Sequence, residues 1–127
     1  MTLYLKIRGE GRTKKNSPRI IRAGNRMMLI PSEAYLDYER DFIRQIPRGF
    51  VRKPINRPVN LKCVYYMGTR RKVDLVNLLE ATCDILVKAG VLEDDNARIV
   101  VGHDGSEVRL DRDDPRVEIE IQEVETC

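Results

Sequence analysis

Hydrophobic and polar residues alternate with a period of two along several stretches of the chain, which predicts half-buried β-strands. The alternation is clearest at 3–7, 59–65 and 117–121, and a shorter strand is predicted at 98–103. Between the first two of these, two short apolar runs flank the turn-forming sequence Ala23-Gly24-Asn25. This arrangement predicts a β-hairpin.

Two segments instead repeat their apolar residues at the 3.6-residue period of an α-helix. Residues 33–46 follow Ser32, a good N-cap, and stop before Pro47. Residues 75–89 follow Asp74 at the N-cap position and stop at Gly90. With no internal repeat or linker, residues 1–127 are predicted to form one α+β domain, built on a mainly antiparallel or mixed sheet and two main helices.

Charge is distributed very unevenly along the 127 residues. The whole chain has a net charge of only +3, from 23 Lys and Arg against 20 Asp and Glu. Residues 1–72 contain 18 basic and five acidic side chains, whereas residues 73–127 contain five basic and 15 acidic ones. The sequence therefore predicts a surface that binds a polyanion beside an acidic site that uses cations.

Several classes of protein are excluded by composition. No apolar run reaches the roughly 18 residues of a membrane span, and none of a signal peptide's length follows Met1, so we expect a soluble cytoplasmic domain without a membrane partner. Cys63, Cys83 and Cys127 have the spacing of neither a disulfide framework nor a zinc site, and are expected to be free thiols. Walker A, G-x-G-x-x-G and G-x-S-x-G motifs are all absent, so hydrolytic chemistry would have to come from carboxylates.

One face of the second helix concentrates the candidate chemistry. At 100° per residue, its polar side chains share an arc opposite the leucines. These are Asp74, Asn77, Glu80, Asp84 and Lys88, with Ala81 among them. Such oxygen atoms suit a hard divalent cation. The alternative is a solvated helix face, with Asp74 as a cap and Asp84 paired with Lys88 four residues later.

Further polar groups are open to two interpretations. The acidic run Glu93-Asp94-Asp95 is either a metal-binding loop or a polar turn reversed by Asn96. The basic runs around residues 14–16 and 70–72 are either solvated or bind phosphates. The presence of two acidic clusters in the same short chain favours phosphate binding. His103, the only histidine, is more often structural than catalytic when it lies near a strand end.

The stretch RRKVDLVNLLEATCDILVKAGVLEDDNARI resembles the signature of the RusA-type Holliday-junction resolvases, crossover-junction endodeoxyribonucleases common in phages and prophages. Its matching residues, at the family's spacing, are Arg70, Arg71, Asp74, Leu75, Asn77, Asp84, Leu86, Gly90, Asp94 and Asp95. The loop TKKNS around Asn16 is similar to the family's basic, Asn-containing opening segment. Agreement over about thirty positions is far more specific than a short motif.

The resemblance implies a Mg²⁺-dependent homodimer, with Mn²⁺ as a substitute, that cuts four-way DNA junctions. It implies Asp74 and Asp95 as metal-binding catalytic carboxylates, Asp94 as a further ligand, and Asn77 and Asp84 as residues that line the site. The DNA-binding candidates are Lys14, Lys15, Asn16, Arg70, Arg71 and Lys72.

Two positions depart from the family pattern. Val76 stands where the family has a second aspartate, and Glu80 stands where it has a catalytic lysine. A phage-borne branch with the pattern D-L-x-N-L-L-E would make Glu80 a replacement catalytic carboxylate. The alternatives are a degenerate site that binds branched DNA without cutting it, and an acidic-faced protein–protein adaptor, which leaves the basic loops unexplained.

The length of the second helix adds an expectation about assembly. A helix over 75–89 is roughly 20 Å long at 1.5 Å per residue, which separates Asp74 from the acidic run that follows its other end. Since Mg²⁺ binds its ligands at about 2 Å, one ion cannot join both ends directly. Either the segment 91–98 folds back along the helix, or Asp74 and Asp95 meet across a two-fold dimer interface.

Overall fold

The computed structural model describes residues 1–14, 18–51 and 53–125. Lys15 and Asn16, two of the DNA-binding candidates, and Cys127 lie outside these ranges. The α+β class predicted from the sequence is confirmed. In chain order the strands and α-helices are β1 (Thr2–Arg8), β2 (Arg19–Ala23), β3 (Arg26–Ile30), α1 (Glu33–Gln45), β4 (Val59–Met67), α2 (Leu75–Lys88), β5 (Val100–Gly102), β6 (Glu107–Leu110) and β7 (Arg116–Glu123).

The main sheet is mixed, as predicted. Strand β7 lies between β1 and β4 and is antiparallel to both. The other edge of β4 pairs in parallel with two short strands in succession, β5 near its start and β6 near its end. The alternation seen in the sequence of β7 is retained, because Val117, Ile119 and Ile121 are buried. That sheet face therefore forms one side of the core.

The structure differs from the predicted elements in three places. Strand β6 was not predicted from the sequence, and its parallel pairing with residues 64–67 of β4 makes it a strand. The strand predicted at 98–103 is shorter, since a turn occupies its start, where the amides of Ile99 and Val100 donate to the Asn96 carbonyl oxygen. The segment between the first predicted helix and the strand at 59–65, for which no element was predicted, contains a short 3₁₀ helix, Arg48–Val51.

The two helices pack their apolar faces into the core. Tyr35 and Phe42 of α1 are almost fully buried, as are Leu78, Ile85 and Leu86 of α2. Helix α1 starts as predicted, with the Ser32 hydroxyl accepting a hydrogen bond from the Tyr35 amide at 3.1 Å, and it ends one residue earlier than predicted. No helix in the described part of the chain has the length and apolarity to cross a bilayer.

Helix α2 ends in a left-handed glycine turn. The Gly90 amide donates to the Val87 carbonyl, and the Val91 amide donates to the Leu86 carbonyl. This pattern is a Schellman motif, and it places Gly90 at φ +83°, where a glycine avoids the steric penalty of a side chain. The stop signal predicted from the sequence is thereby confirmed, and the motif sends the acidic run 93–95 back from the end of the helix.

The two described cysteines are buried free thiols, as expected. Burial raises the pKa of both Cys63 and Cys83 to about 12. Since only a thiolate is an effective nucleophile or metal ligand, neither side chain is suited to catalysis.

Candidate active site

The N-terminal end of α2 presents a carboxylate to solvent. Asp74 has the extended backbone of an N-cap residue, and its carbonyl oxygen accepts the first helical hydrogen bond from Leu78. Its side chain does not cap the helix, contrary to the capping interpretation, because Oδ2 instead accepts a hydrogen bond from Asn77 Nδ2 at 3.2 Å. The Asp74 carboxylate is therefore held by Asn77 at the mouth of an open cleft, which is lined by Thr13, Lys72, Val73, Asp74 and Asn77.

The loop that follows β1 lies over the middle of the acidic face of α2. Lys14 Nζ lies 2.8 Å from Asp84 Oδ2, an ion pair that joins residues 70 positions apart. The loop approaches closely because Gly11 has no side chain. A Cβ there would lie 3.1 Å from the Tyr65 ring and 3.2 Å from Leu78. Lys14, predicted to bind DNA, thus places its charge over the candidate metal-binding face.

The predicted pairing of Asp84 with Lys88 is wrong. Lys88 instead forms an ion pair with Glu39 of α1, whose side chain is only 10% exposed. A carboxylate that is this buried gains more from a neighbouring ammonium than an exposed one does, so Glu39 outcompetes Asp84 for Lys88. Asp84 instead forms an ion pair with Lys14, and its charge acts on Asp95 in the acidic loop that follows the helix.

That acidic loop folds back toward Asp84. Asp94 accepts hydrogen bonds from the Asp95 amide at 2.7 Å and from Asn96 Nδ2 at 3.1 Å, which confirms Asn96 as a turn residue. The pKa of Asp95 is raised, first by partial burial, then by the charge of Asp84 and by Asp94. Asp95 therefore lies close enough to Asp84, one turn before the end of α2, for the two charges to interact.

Asp74 lies at the opposite end of α2 from this loop. Since Asp84 lies ten residues beyond Asp74, the two are separated by roughly 15 Å along the helix axis, and Asp95 lies at the Asp84 end. Within the described residues, no three Asp, Glu, His or Cys side chains come together in a way that could hold a metal ion. The carboxylate oxygens are suitable ligands for Mg²⁺, but within one chain they lie in two separate groups. We call these groups the half-sites: Asp74 with Asn77, and Asp84 with Asp95.

The two departures from the family pattern have different structural contexts. Val76 is 73% exposed on the first turn of α2, so an apolar side chain faces solvent beside Asp74. Glu80 is exposed and shares a small pocket with Lys14, Asn77 and Ala81. Glu80 thus lies between the two half-sites, and Val76 offers no metal ligand.

The remaining candidates fall into two groups. Arg70, Arg71 and Lys72 are exposed in the segment that leads into Asp74, and Lys72 lines the open cleft. His103 directly follows β5, which pairs with β4, and its Nδ1 donates a hydrogen bond to the Leu61 carbonyl oxygen at 2.8 Å. His103 therefore has a structural hydrogen bond, as the more common interpretation predicted.

Two contacts were missed in the sequence, Lys14 with Asp84 and Lys88 with Glu39. Nothing in the sequence indicated the contact of Lys14 with Asp84, apart from Gly11 close to the basic run. The second contact had a sequence signal, because Glu39 falls on the same helical face as Tyr35 and Phe42, which are both buried.

Basic segments beside the carboxylate-bearing helix α2 give this face of the mixed sheet and helix the charge distribution of a nucleic-acid-binding surface. The family model described as Endodeoxyribonuclease RusA matches residues 10–122. The chain belongs to the RusA endodeoxyribonuclease family, whose members act on Holliday junctions and bind branched DNA. No curated protein matches the chain. The resemblance drawn from residues 70–99 is thereby confirmed over most of the sequence.

Proposed function

We propose that this protein is a Mg²⁺-dependent, structure-specific endodeoxyribonuclease that resolves four-way junctions by paired hydrolysis during recombination and repair. The observation that carries the proposal is the acidic face of α2, where Asp74, Asn77, Glu80 and Asp84 lie beside the basic segment 70–72 and under Lys14. Carboxylates that share one helix face repel DNA, and cations beside them would offset this repulsion.

The chemistry that the site would perform is simple. Water adds to the phosphorus atom, one P–O bond breaks, and a phosphate monoester and a hydroxyl remain. A bound Mg²⁺ supplies a more acidic water and neutralises the developing negative charge. The protein's own task is to hold that ion through Asp74 and Asp95, with Asp94 beside them, and to hold the DNA so that the phosphate reaches it. Mn²⁺, which accepts the same oxygen ligands, is expected to substitute.

The basic residues position the substrate. Lys72 lines the cleft at Asp74, and Arg70 and Arg71 precede it in the chain, so that the three would contact the phosphates on either side of the scissile bond. Lys14, together with Lys15 and Asn16 from the same loop, would extend this contact over the middle of α2. The ammonium of Lys14 also lowers the negative potential around Asp84, which reduces the repulsion of an incoming phosphate.

Glu80 takes the role of the second aspartate of the family pattern, whose position is occupied here by Val76. Its position one turn beyond Asn77 allows it to approach ligands of either half-site. This role keeps the site active despite the two departures from the family pattern.

The assembled enzyme is a homodimer in which Asp74 and Asp95 meet across the interface. Support comes from the separation of the two half-sites within one chain, together with the near two-fold symmetry of a four-way junction. Such an enzyme works on DNA in the cytoplasm, where buried free thiols such as Cys63 persist in the reduced form.

A second candidate function is branched-DNA binding without cleavage. The exposed Val76 favours it, because the first turn of α2 then has one carboxylate where the family has two. The two functions differ in their response to Asp74→Asn. Asparagine keeps the hydrogen-bonding shape but removes the charge, so the variant of a nuclease should lose cleavage and bind the junction as tightly or more tightly.

The experiment compares Asp74→Asn with Asp113→Asn, a matched change at an exposed aspartate in the turn before β7. Loss of cleavage in the first protein alone supports the assignment. Full cleavage by a folded Asp74→Asn protein would remove Asp74 from the site. Mixed dimers of Asp74→Asn and Asp95→Asn subunits then test the shared site, since one of their two centres should keep both carboxylates. No recovery of activity in verified mixed dimers would contradict it.

A further inference from the structure

The hairpin formed by β2 and β3 is not covered by the rest of its own chain. Among the described residues, none of its apolar side chains belongs to the core or packs against it. A two-stranded hairpin without such packing is marginally stable in water. The hairpin is nevertheless rich in large apolar residues, with the sequences RIIRA and RMMLI.

One face of the hairpin forms an apolar ladder. The register pairs Ile20 with Leu29 and Arg22 with Met27, and residues paired across two antiparallel strands share a face. Ile20, Met27 and Leu29 are 67%, 69% and 69% exposed. We call these three side chains the outer ladder. So much contiguous apolar surface on a small domain marks an interaction site.

The opposite face of the hairpin turns toward its own chain. Arg19 lies on it and forms an ion pair with Glu33 at the start of α1, at 3.1 Å. Ile21 and Met28 on the same face are only 39% and 46% exposed. The outer ladder therefore points away from the described part of the chain that carries it.

Charge complementarity indicates which molecule covers the outer ladder. Residues 18–32 contain three arginines and no carboxylate, and Arg22 and Arg26 form no ion pair with any described residue. Conversely, Glu93, Asp94 and Asp95 are exposed and have no cation within ion-pair distance in the described ranges. The same chain thus carries a basic apolar arm and an acidic loop, a combination suited to reciprocal contacts in a two-fold dimer.

We propose that the β2–β3 hairpin is a dimerisation arm that buries its outer ladder against a second copy of this chain, with Arg22, which shares the face of the ladder, near the partner's acidic loop. This inference rests on the homodimer of the proposed function and assigns a surface to it. The arm would bring a second subunit to the site that one chain leaves divided between Asp74 and Asp95.

DNA is the less suitable occupant of this surface. Base edges are recognised through hydrogen bonds, and phosphates through cations and hydrogen-bond donors. The side chains of Ile20 and Leu29 offer no donor or acceptor, and the Met27 thioether is only a weak acceptor. A ladder of this kind gains most from contact with apolar protein surface.

The test measures dimerisation alone, by sedimentation of the full chain over a concentration series without DNA or metal. The ladder variant combines Ile20→Thr, Met27→Thr and Leu29→Thr, because threonine retains β-propensity and all three positions are exposed. The control variant makes the same change at three exposed apolar strand residues elsewhere, Val101→Thr, Val108→Thr and Leu110→Thr. We expect the ladder variant to raise the dimer dissociation constant at least 100-fold and the control to leave it within threefold.

A charge variant, Arg22→Glu, provides a second route if the ladder variant folds poorly by circular dichroism. It should also weaken the dimer, by about tenfold or more. A monomeric wild-type chain, or ladder and charge variants that both dimerise like wild type, would overturn the proposal. Loss of junction affinity with dimerisation unchanged would assign the hairpin to DNA instead. A dimer that depends on the arm but never cuts a junction would support the arm and contradict only the proposed nuclease function.

Discussion

A buried hydrogen bond ties the site-bearing helix to the sheet, and its removal has a calculable cost. Tyr65 on β4 and Thr82 on α2 are both almost fully buried, and their hydroxyl oxygens lie 2.6 Å apart. Thr82 Oγ1 donates its proton to the Leu78 carbonyl oxygen at 2.9 Å. Since a threonine hydroxyl has one proton, the Tyr65 hydroxyl must be the donor in the pair.

This direction makes the two single substitutions unequal. In Tyr65→Phe, the Thr82 hydroxyl keeps its bond to Leu78, so the free energy of unfolding should fall by about 0.5–1.5 kcal/mol. In Thr82→Val, the buried Tyr65 hydroxyl has only the weakly polar Cys63 thiol beside it, and the loss should be about 1–3 kcal/mol. The double variant leaves no hydroxyl unpaired and should be more stable than Thr82→Val alone.

Urea denaturation followed by circular dichroism, at one protein concentration for all four proteins, measures these differences. A Tyr65→Phe protein less stable than Thr82→Val would contradict the assigned donor. A double variant whose loss equals the sum of the single losses would show that the two hydroxyls are not coupled.

Three further predictions concern other groups. The Arg116 guanidinium donates a hydrogen bond to the Asp111 carboxylate at 2.8 Å and lowers the pKa of Asp111. This contact therefore stabilises the folded protein above the usual aspartate pKa, and the stabilisation is lost as the pH falls through the lowered pKa of Asp111. Asp111→Asn should therefore be less stable than wild type at pH 7, and the two proteins' denaturation midpoints should converge as the pH falls below the lowered pKa of Asp111. In a Cys127→Ser background, Cys63 and Cys83 should react with a thiol reagent at least 100-fold more slowly in the native than in the unfolded protein, and rapid native labelling would contradict their burial. Glu80→Gln should lower the cleavage rate at least tenfold and raise the Mg²⁺ concentration needed for half-maximal rate, whereas unchanged kinetics would return Glu80 to a solvated helix face.

The sequence predicted the elements whose signals are local. The 3.6-residue period of α2 and the alternation of β7 each extend over at least five positions, and both elements were correctly placed. Strand β6 was missed because only four residues form it and three of them are exposed, so its sequence has no clear alternation. Its conformation depends on parallel pairing with β4, which lies more than 40 residues earlier in the chain.

The candidate site shows the same limit at the level of side chains. The acidic face of α2 could be read from helical spacing, and Asp74, Asn77 and Asp84 are all found on it. The partners of that face could not be read in the same way. The rule for residues four apart paired Asp84 with Lys88, whereas burial of Glu39 by the packing of α1 against α2 draws Lys88 away. Such competition depends on tertiary contacts that no local pattern records.

The most direct measurement of the central claim is the cleavage of an end-labelled four-way junction by the wild-type chain, beside a linear duplex of the same sequence. The account predicts paired nicks at symmetry-related positions in the junction with Mg²⁺, no nicks with a chelator present, and little cleavage of the duplex. Tight binding of the junction with no nicks in Mg²⁺ or Mn²⁺ would contradict the nuclease assignment and favour a binding protein. Equal cleavage of junction and duplex would contradict its structure specificity.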